Sequence, residues 1–341
     1  MRTYLITGAA GFIGSNFVEF ILKKAKKVVV LDALTYAGHL ENLQEHRERV
    51  TFVEGDITDE ALVSALLREH GIDTLVNFAA ESHVDRSISD PESFVRTNVL
   101  GVFNLLSAFR IHYDAMPDAQ KKTARFIQVS TDEVFGSLGD EGYFSETTTY
   151  APNSPYSASK AGGDHLARAW FHTFKLPVIV TNCSNNYGPK QFPEKLIPLM
   201  INCALSEKAM PIYGQGINVR DWIHVMDHSA GIDLAIEKGV PGESYCFGGR
   251  SERKNLDVVN AICEELDKQV PRRGGGSYKA LITFVEDRKG HDWRYAIDDS
   301  KAERDLGFKR KYTSFEQGLE QTIAWYLGNR VWMDAVMGKS K

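Results

Sequence analysis

The chain has few cysteines, no long apolar run and no surplus of positive charge, and each shortage closes off a class of function. Its 4 cysteines, Cys183, Cys203, Cys246 and Cys263, lie far apart with no CxxC spacing. That pattern suggests neither a zinc site nor a disulfide framework, so no metal and a reduced, cytoplasmic setting are expected. No apolar stretch approaches the roughly 20 residues needed to span a bilayer, and the first residues run into a strand-like segment without a signal-peptide pattern. With 40 Lys and Arg against 45 Asp and Glu, the formal charge is −5. General nucleic-acid binding wants a basic face, and a polybasic membrane anchor wants a basic cluster, so neither partner is expected. A local cationic pocket for an anionic small molecule stays open. The run Lys23, Lys24, Lys26, Lys27 reads as the solvated end of the first helix, where cations suit the dipole. Internal repeats and low-complexity segments are absent too.

What is present is a hydrophobic share of 43% over 341 residues, ordinary for a globular chain of one large domain or two. Strand candidates are Tyr4–Thr7, Val28–Leu31, Thr51–Val53, Thr74–Phe78, Phe126–Val129 and Val178–Thr181. Several are continuous apolar runs, which suit a parallel sheet buried on both faces. Helical patterns lie between them; in one, Val95, Val99, Val102, Phe103 and Leu106 recur at helical spacing. The alternation predicts an α/β fold, a doubly wound parallel (Rossmann) sheet, over residues 1–182. After residue 182 the rhythm breaks at Pro189, Pro193, Pro198, Pro211, Pro241 and Pro271. A smaller C-terminal α+β region over 183–341 is expected there, ending in an amphipathic helix near Phe315–Leu327, with some segments returning to the first domain.

The first strand candidate runs straight into Gly8-Ala-Ala-Gly11-Phe12-Ile13-Gly14. Glycines between a strand and a helix permit a tight turn, close backbone approach to a pyrophosphate and close helix packing. The helix start then offers N–H groups to phosphate. Asp32 ends the second strand eighteen residues beyond Gly14, where a carboxylate accepts ribose hydroxyls and repels a 2′-phosphate. NAD is therefore the expected cofactor, with Asp56 and Ile57 flanking the adenine.

Tyr156 and Lys160 stand four residues apart, on one face of a helix start. A phenol that titrates near 10 needs roughly 4 kcal/mol of phenolate stabilisation to act as a base at pH 7, and a neighbouring ammonium together with an oxidised nicotinamide can supply it. YxxxK alone is a weak signal; behind a nucleotide-binding half it is a strong one.

Together, TGAAGFIG, Asp32 and YSASK resemble the extended short-chain dehydrogenase/reductase superfamily over nearly the whole chain. A finer resemblance rests on Ser130-Thr131-Asp132-Glu133-Val134-Phe135-Gly136, Ala79–Ser87, Asn185–Pro189, Phe192–Pro198, Asn218–Trp222 and Gly290–Asp292. These segments are similar to the dTDP-glucose 4,6-dehydratase family of NAD-dependent sugar-nucleotide lyases in deoxysugar biosynthesis. The resemblance implies that Tyr156 takes the O4 proton during oxidation at C4, with Lys160 beside it and Thr131 on O4. Glu133 is then the base at C5 and Asp132 the acid at O6, a division that needs their pKa values held apart.

The resemblance also extends the cofactor set to Ala33, Leu34, Thr35, Phe78, Ala79, Ala80, Thr97 and Asn186. It puts the nucleotide sugar against Ser82, Thr131, Asn185, Lys195, Leu196, Pro211, Ile212, Tyr213, Arg220, Asn255, Arg288 and His291. Arginines are suited to a diphosphate by bidentate, charge-assisted hydrogen bonds. Lys195, Arg220 and Arg288 are expected to converge on it. His83 is given no chemistry. Lys289 and Trp293 depart from the family pattern beside proposed substrate residues, which bears on base or sugar preference. The compact stretch from Gly136 to Tyr156 predicts a short lid. A homodimer is implied by the superfamily, packed through the helix around Val95–Phe109 and the one after Tyr156. The rival readings are a dehydratase acting on UDP-glucose, an epimerase, for which Asp132-Glu133 is a poor fit, and a non-catalytic NAD sensor, which would not need Tyr156, Lys160 and the acid pair.

Overall fold

The structure is a computed structural model that describes residues 1–287 and 291–338. The six expected strands form as β1 (Thr3–Thr7), β2 (Lys27–Asp32), β3 (Thr51–Glu54), β4 (Thr74–Asn77), β5 (Arg125–Thr131) and β6 (Val178–Cys183). Beyond them come β7 (Asn185–Tyr187), β8 (Met210–Tyr213), β9 (Val219–His224), β10 (Ser244–Phe247), β11 (Glu252–Lys254) and β12 (Ile282–Val285). A seven-stranded parallel sheet runs in the order β10-β6-β5-β4-β1-β2-β3.

The first half carries helices α1 (Phe12–Ile21), α2 (Glu60–His70), α3 (Val84–Ser89), α4 (Pro91–Val95), α5 (Val102–Asp114), α6 (Asp118–Lys121) and α7 (Pro155–Phe174). Later come α8 (Leu196–Leu205), α9 (Val225–Lys238), α10 (Asn255–Gln269), α11 (Phe315–Gly328) and α12 (Arg330–Gly338). One face of the sheet buries Ile6, Val30 and Ile127 under Phe17 and Val18 of α1 and Ile232 and Ile236 of α9. The other buries Leu5, Leu31, Leu75 and Phe126 under Val63 of α2, Leu106 of α5 and Ala167 of α7. Cover on both faces is why these strands read as unbroken apolar runs rather than alternating ones.

Strand β10 and helix α9 come from beyond residue 182 and return to this sheet. Nothing in Ser-Tyr-Cys-Phe marks β10 out, because a four-residue run is too short for periodicity to separate strand from helix. The rest of the second half builds its own core from Ile201, Met210, Val259, Ile262, Ile323 and Tyr326. Around that core lie the parallel pair β8–β12 and the small sheet β11-β9-β7. Among the described residues, no helix is long and apolar enough to cross a membrane.

The helix expected around Val95–Phe109 is interrupted. Residues Arg96–Gly101 form a π-helical turn between α4 and α5. The wider turn lets Gly101 sit against Ile57, where a Cβ would approach the Ile57 Cδ1 to 2.5 Å. It also turns Asn98 inward. The apolar stripe read at 3.6-residue spacing is therefore split: Val102 and Leu106 are fully buried, whereas Val95 and Phe103 are exposed. A π turn inside a helix often marks a functional site, and this one borders the cleft described next.

Candidate functional site

The C-terminal ends of β1 to β6 open into one cleft, centred where the strand order reverses between β1 and β4. That reversal leaves a crevice which the helices on either face do not fill. Gly8 stands at its bottom with φ +68°, and a Cβ there would lie 2.5 Å from the Ala79 nitrogen. A Cβ on Gly14 would lie 2.6 Å from the Gly8 carbonyl oxygen. The turn thus requires glycine twice, once for conformation and once for packing. Gly11 N-caps α1 without a side-chain hydrogen bond, so the first-turn N–H groups at Phe12, Ile13 and Gly14 border the cleft.

Asp32 is nearly buried and accepts hydrogen bonds from the Ala10 nitrogen at 2.8 Å and the Leu34 nitrogen at 2.9 Å. Burial raises its carboxyl pKa, and those two N–H groups pull it back. The carboxylate is therefore fixed between the glycine turn and the next loop while still lining the cleft. Ala33, Thr35, Asp56, Ile57, Phe78, Ala79, Ala80, Thr97 and Asn186 also line it. Leu34 does not. Its φ is +49°, and its side chain packs against the apolar core under α1.

Several lining residues were not singled out from the sequence: Tyr36, Gly38, Cys183, Ser184, Gln191, Phe192 and Glu194. Tyr36 meets Phe192 edge-on at 6.2 Å, closing the cleft from two distant segments. Their place directly after Asp32 and inside the Phe192–Pro198 motif was the available signal. Asn98 was missed as well; its amide bonds both backbone groups of Glu81 and the Ser159 hydroxyl, which pins the turn after β4. His83 has a local task, accepting a hydrogen bond from the Arg86 nitrogen as the N-cap of α3.

At the end of β5 the chain tightens into a single helical turn at Asp132–Phe135. The Thr131 hydroxyl accepts from the Glu133 nitrogen and donates to the Asp132 carboxylate, both at 3.3 Å. Asp132 is buried, and its Oδ2 has no hydrogen-bond partner among the described residues. Burial, with Glu133 and Asp221 adding to it, holds its carboxyl pKa well above the usual carboxylate range. Opposite, Ser154 and Ser157 form a reciprocal capping box with Pro155 at the first helical position, which sets where α7 begins. That start places Tyr156 in the first turn and Lys160 one turn on, both in the cleft. Burial and then Glu133 push the Tyr156 phenol up, while hydrogen bonding with Thr131 opposes them. The Lys160 ammonium donates to the Val129 carbonyl at 2.8 Å, and burial pulls its pKa down.

The residues expected to meet a nucleotide sugar divide. Ser82, Thr131, Asn185 and Lys195 line the cleft, and the Lys195 ammonium reaches back to the Ser82 carbonyl at 3.2 Å. Tyr213 is exposed and meets His291 edge-on at 6.3 Å, and His291 bonds Asp287 at 2.7 Å. Pro211 lies beside it on β8, and Asn255 opens α10. Ile212 has its side chain in the core of the second region, and Leu196 packs against that core, so neither side chain faces the cleft. Arg220 is buried, bonded to the carbonyls of Val219 and Asp292, and stacked over Tyr295 at 4.3 Å. Arg288 and Lys289 lie outside the described residues; of the other two expected cations, Lys195 lines the cleft and Arg220 is not among its lining residues. The compact stretch after Gly136 is bridged to the chain near Arg294 and Ile297, and Trp293 bonds Ser137 and Asp140.

A doubly wound sheet with a glycine turn at its switch point, and a Tyr-Lys pair facing the end of β5, defines a dinucleotide-binding protein of the extended short-chain dehydrogenase/reductase class. A family model described as GDP-mannose 4,6 dehydratase matches residues 5–322. A dTDP-glucose 4,6-dehydratase of Xanthomonas campestris pv. campestris is 55% identical, the match covering 100% of this chain and 97% of that one. One from Neisseria meningitidis serogroup B is 49% identical, with 100% and 97% covered. The crystal structure of a Streptomyces venezuelae dTDP-glucose 4,6-dehydratase with NAD bound superposes with a TM-score of 0.89 at 44% identity, covering 98% of this chain and 99% of that one. The chain belongs to the dTDP-glucose 4,6-dehydratase family.

Proposed function

We propose that the protein dehydrates dTDP-glucose to dTDP-4-keto-6-deoxyglucose, using an NAD that stays bound through the cycle. The observation that carries this reading is the acid pair. Asp132 and Glu133 enter the same cleft as Tyr156 and Lys160, and an oxidoreductase without elimination has no use for them.

The cleft fits NAD at both ends. The glycine turn leaves backbone room for a pyrophosphate, and Asp32 is braced to meet ribose hydroxyls rather than a phosphate. When bound, the cofactor would supply a reversible two-electron store, for the hydride lost at C4 and regained at C6, and a positive charge near Tyr156. Tyr156 accepts the O4 proton while Thr131 holds that oxygen. The resulting C4 ketone acidifies the C5 proton, which Glu133 removes. Asp132, its carboxyl pushed well up by burial, donates to O6 as water leaves C6. Asp132 would lose that proton, and its role, as pH rises through its elevated pKa. Glu133 then returns a proton to C5. The cycle is redox-neutral, so no second oxidant is required.

Residues 1–182 serve mainly the cofactor and the acid–base steps, and residues 183–341 mainly the nucleotide sugar, through Asn185, Lys195, Pro211, Tyr213, Arg220, Asn255 and His291. Incubating the protein, with NAD supplied, with dTDP-glucose, UDP-glucose and CDP-glucose should give loss of one water from dTDP-glucose, read by mass. If no nucleotide sugar loses water, the reading fails; preferential loss from UDP-glucose would replace the substrate.

The protein works as a homodimer in this reading. Ile88, Leu100, Phe103, Ile111 and Phe174 are large apolar side chains left exposed on or near α5 and α7, a face that a second copy would cover. Sedimentation at micromolar concentration should give twice the chain mass. A monomer there removes the proposal.

A further inference from the structure

Lys160 is 5% exposed, and it donates a hydrogen bond to a neutral carbonyl. A buried ammonium with only neutral partners tends to lose its proton, so a charged Lys160 needs a counter-ion within reach. One helical turn further along α7, on the same face, is Asp164, with no exposed surface at all. Its Oδ2 accepts from the Ser130 hydroxyl at 2.5 Å and from the Tyr150 phenol at 3.2 Å. Ser130 adjoins Thr131 at the end of β5, so the carboxylate is anchored to the strand that carries the acid pair.

We propose that Asp164 is a positioning residue for the oxidation step: its carboxylate, held by Ser130 and Tyr150, is the counter-ion that keeps Lys160 an ammonium beside Tyr156. This rests on the reading of Tyr156 as the base. The groups facing the pair are Ser130 and Gln128 from β5, Cys183 from β6, with Asp132 beyond it, and Tyr150 from the connection before α7. Tyr150 in turn meets His165 at 5.2 Å and feels Cys246 from β10. Burial pushes the thiols of Cys183 and Cys246 and the phenol of Tyr150 up, so none of the three carries charge at neutral pH. Burial pushes Asp164 up to about 6, with Lys160 the largest opposing influence. Asp164 also opposes the burial that pulls Lys160 down. The carboxylate is thus charged above about pH 6, and Lys160 loses its counter-ion as pH falls through that value.

The test follows the rate of cofactor reduction by dTDP-glucose in a single turnover of NAD-loaded wild type and Asp164→Asn, across acid, neutral and alkaline pH. For the variant we expect oxidation roughly tenfold slower at neutral pH, with the acid limb of the rate profile moved up by about one pH unit. The rate should recover as pH rises, and KM should hold. A merely structural role would lower the rate uniformly. An unshifted limb, or a wild-type rate, overturns the proposal. Where Asp164→Asn does not fold, Tyr150→Phe removes one donor to the carboxylate and should move the same limb up by a smaller amount; an unmoved limb is equally fatal. A wild-type protein that never reduces its cofactor with dTDP-glucose would instead sink the functional reading, so the two failures are distinguishable.

Discussion

Tyr156→Phe is expected to lower turnover of dTDP-glucose by roughly a thousandfold, within the usual range for removing a general base, with no reduced cofactor appearing at any stage. The substitution deletes one oxygen from a side chain that is 8% exposed and leaves the ring where it meets Phe94 edge-on at 6.3 Å, so the fold has little to lose. What it removes is the acceptor for the O4 proton. Burial and Glu133 already push that phenol up, and burial therefore does not create the phenolate. Thr131, Lys160 and the charge of the bound cofactor have to. Rapid-mixing absorbance of the reduced nicotinamide checks this. Wild-type-like reduction in the variant would take the base role away from Tyr156.

Glu133→Gln is expected to slow product formation by about 10²–10³-fold and yet leave the oxidation intact. Glu133 raises the pKa of both Tyr156 and Asp132, so its neutral isostere makes the phenolate easier to reach, not harder. The C5 proton then has no acceptor, and reduced cofactor should accumulate with the 4-keto sugar. The same mixing experiment, followed by product mass, separates the outcomes. Equal loss of cofactor reduction in Tyr156→Phe and Glu133→Gln would contradict the division of roles.

Much of this was legible in the sequence because the residues concerned act close to where they stand in the chain. Gly8, Gly11 and Gly14 follow the first strand directly, and Asp32 closes the second. Tyr156 and Lys160 share a helix face by spacing alone. Asp132 and Glu133 follow a strand without a gap. Other features depended on segments far apart in sequence. Tyr36 and Phe192 meet only because the second half folds over the loop after β2. Ile212 looked available as a contact, but β8 turns its side chain into the core and leaves Tyr213 outside. The stripe through Val95 and Phe103 predicted a continuous helix face, and the π turn at Arg96–Gly101, which seats Gly101 on Ile57, broke it.

The sparse cysteines, modest charge and short apolar runs bounded the partners, and the local motifs placed the strand ends and their chemistry. Those are properties of nearest neighbours: periodicity, turn residues and side chains one helical turn apart. Charge state was not among them. That the Asp132 carboxyl is pushed well up, and that Asp164 lies buried with Ser130 and Tyr150 donating to it, follows from burial and from contacts across β5, α7 and the connection between them. Desolvation depends on every element packed around a group. Only the tertiary structure shows which carboxyls burial pushes up and which hydroxyls hold them.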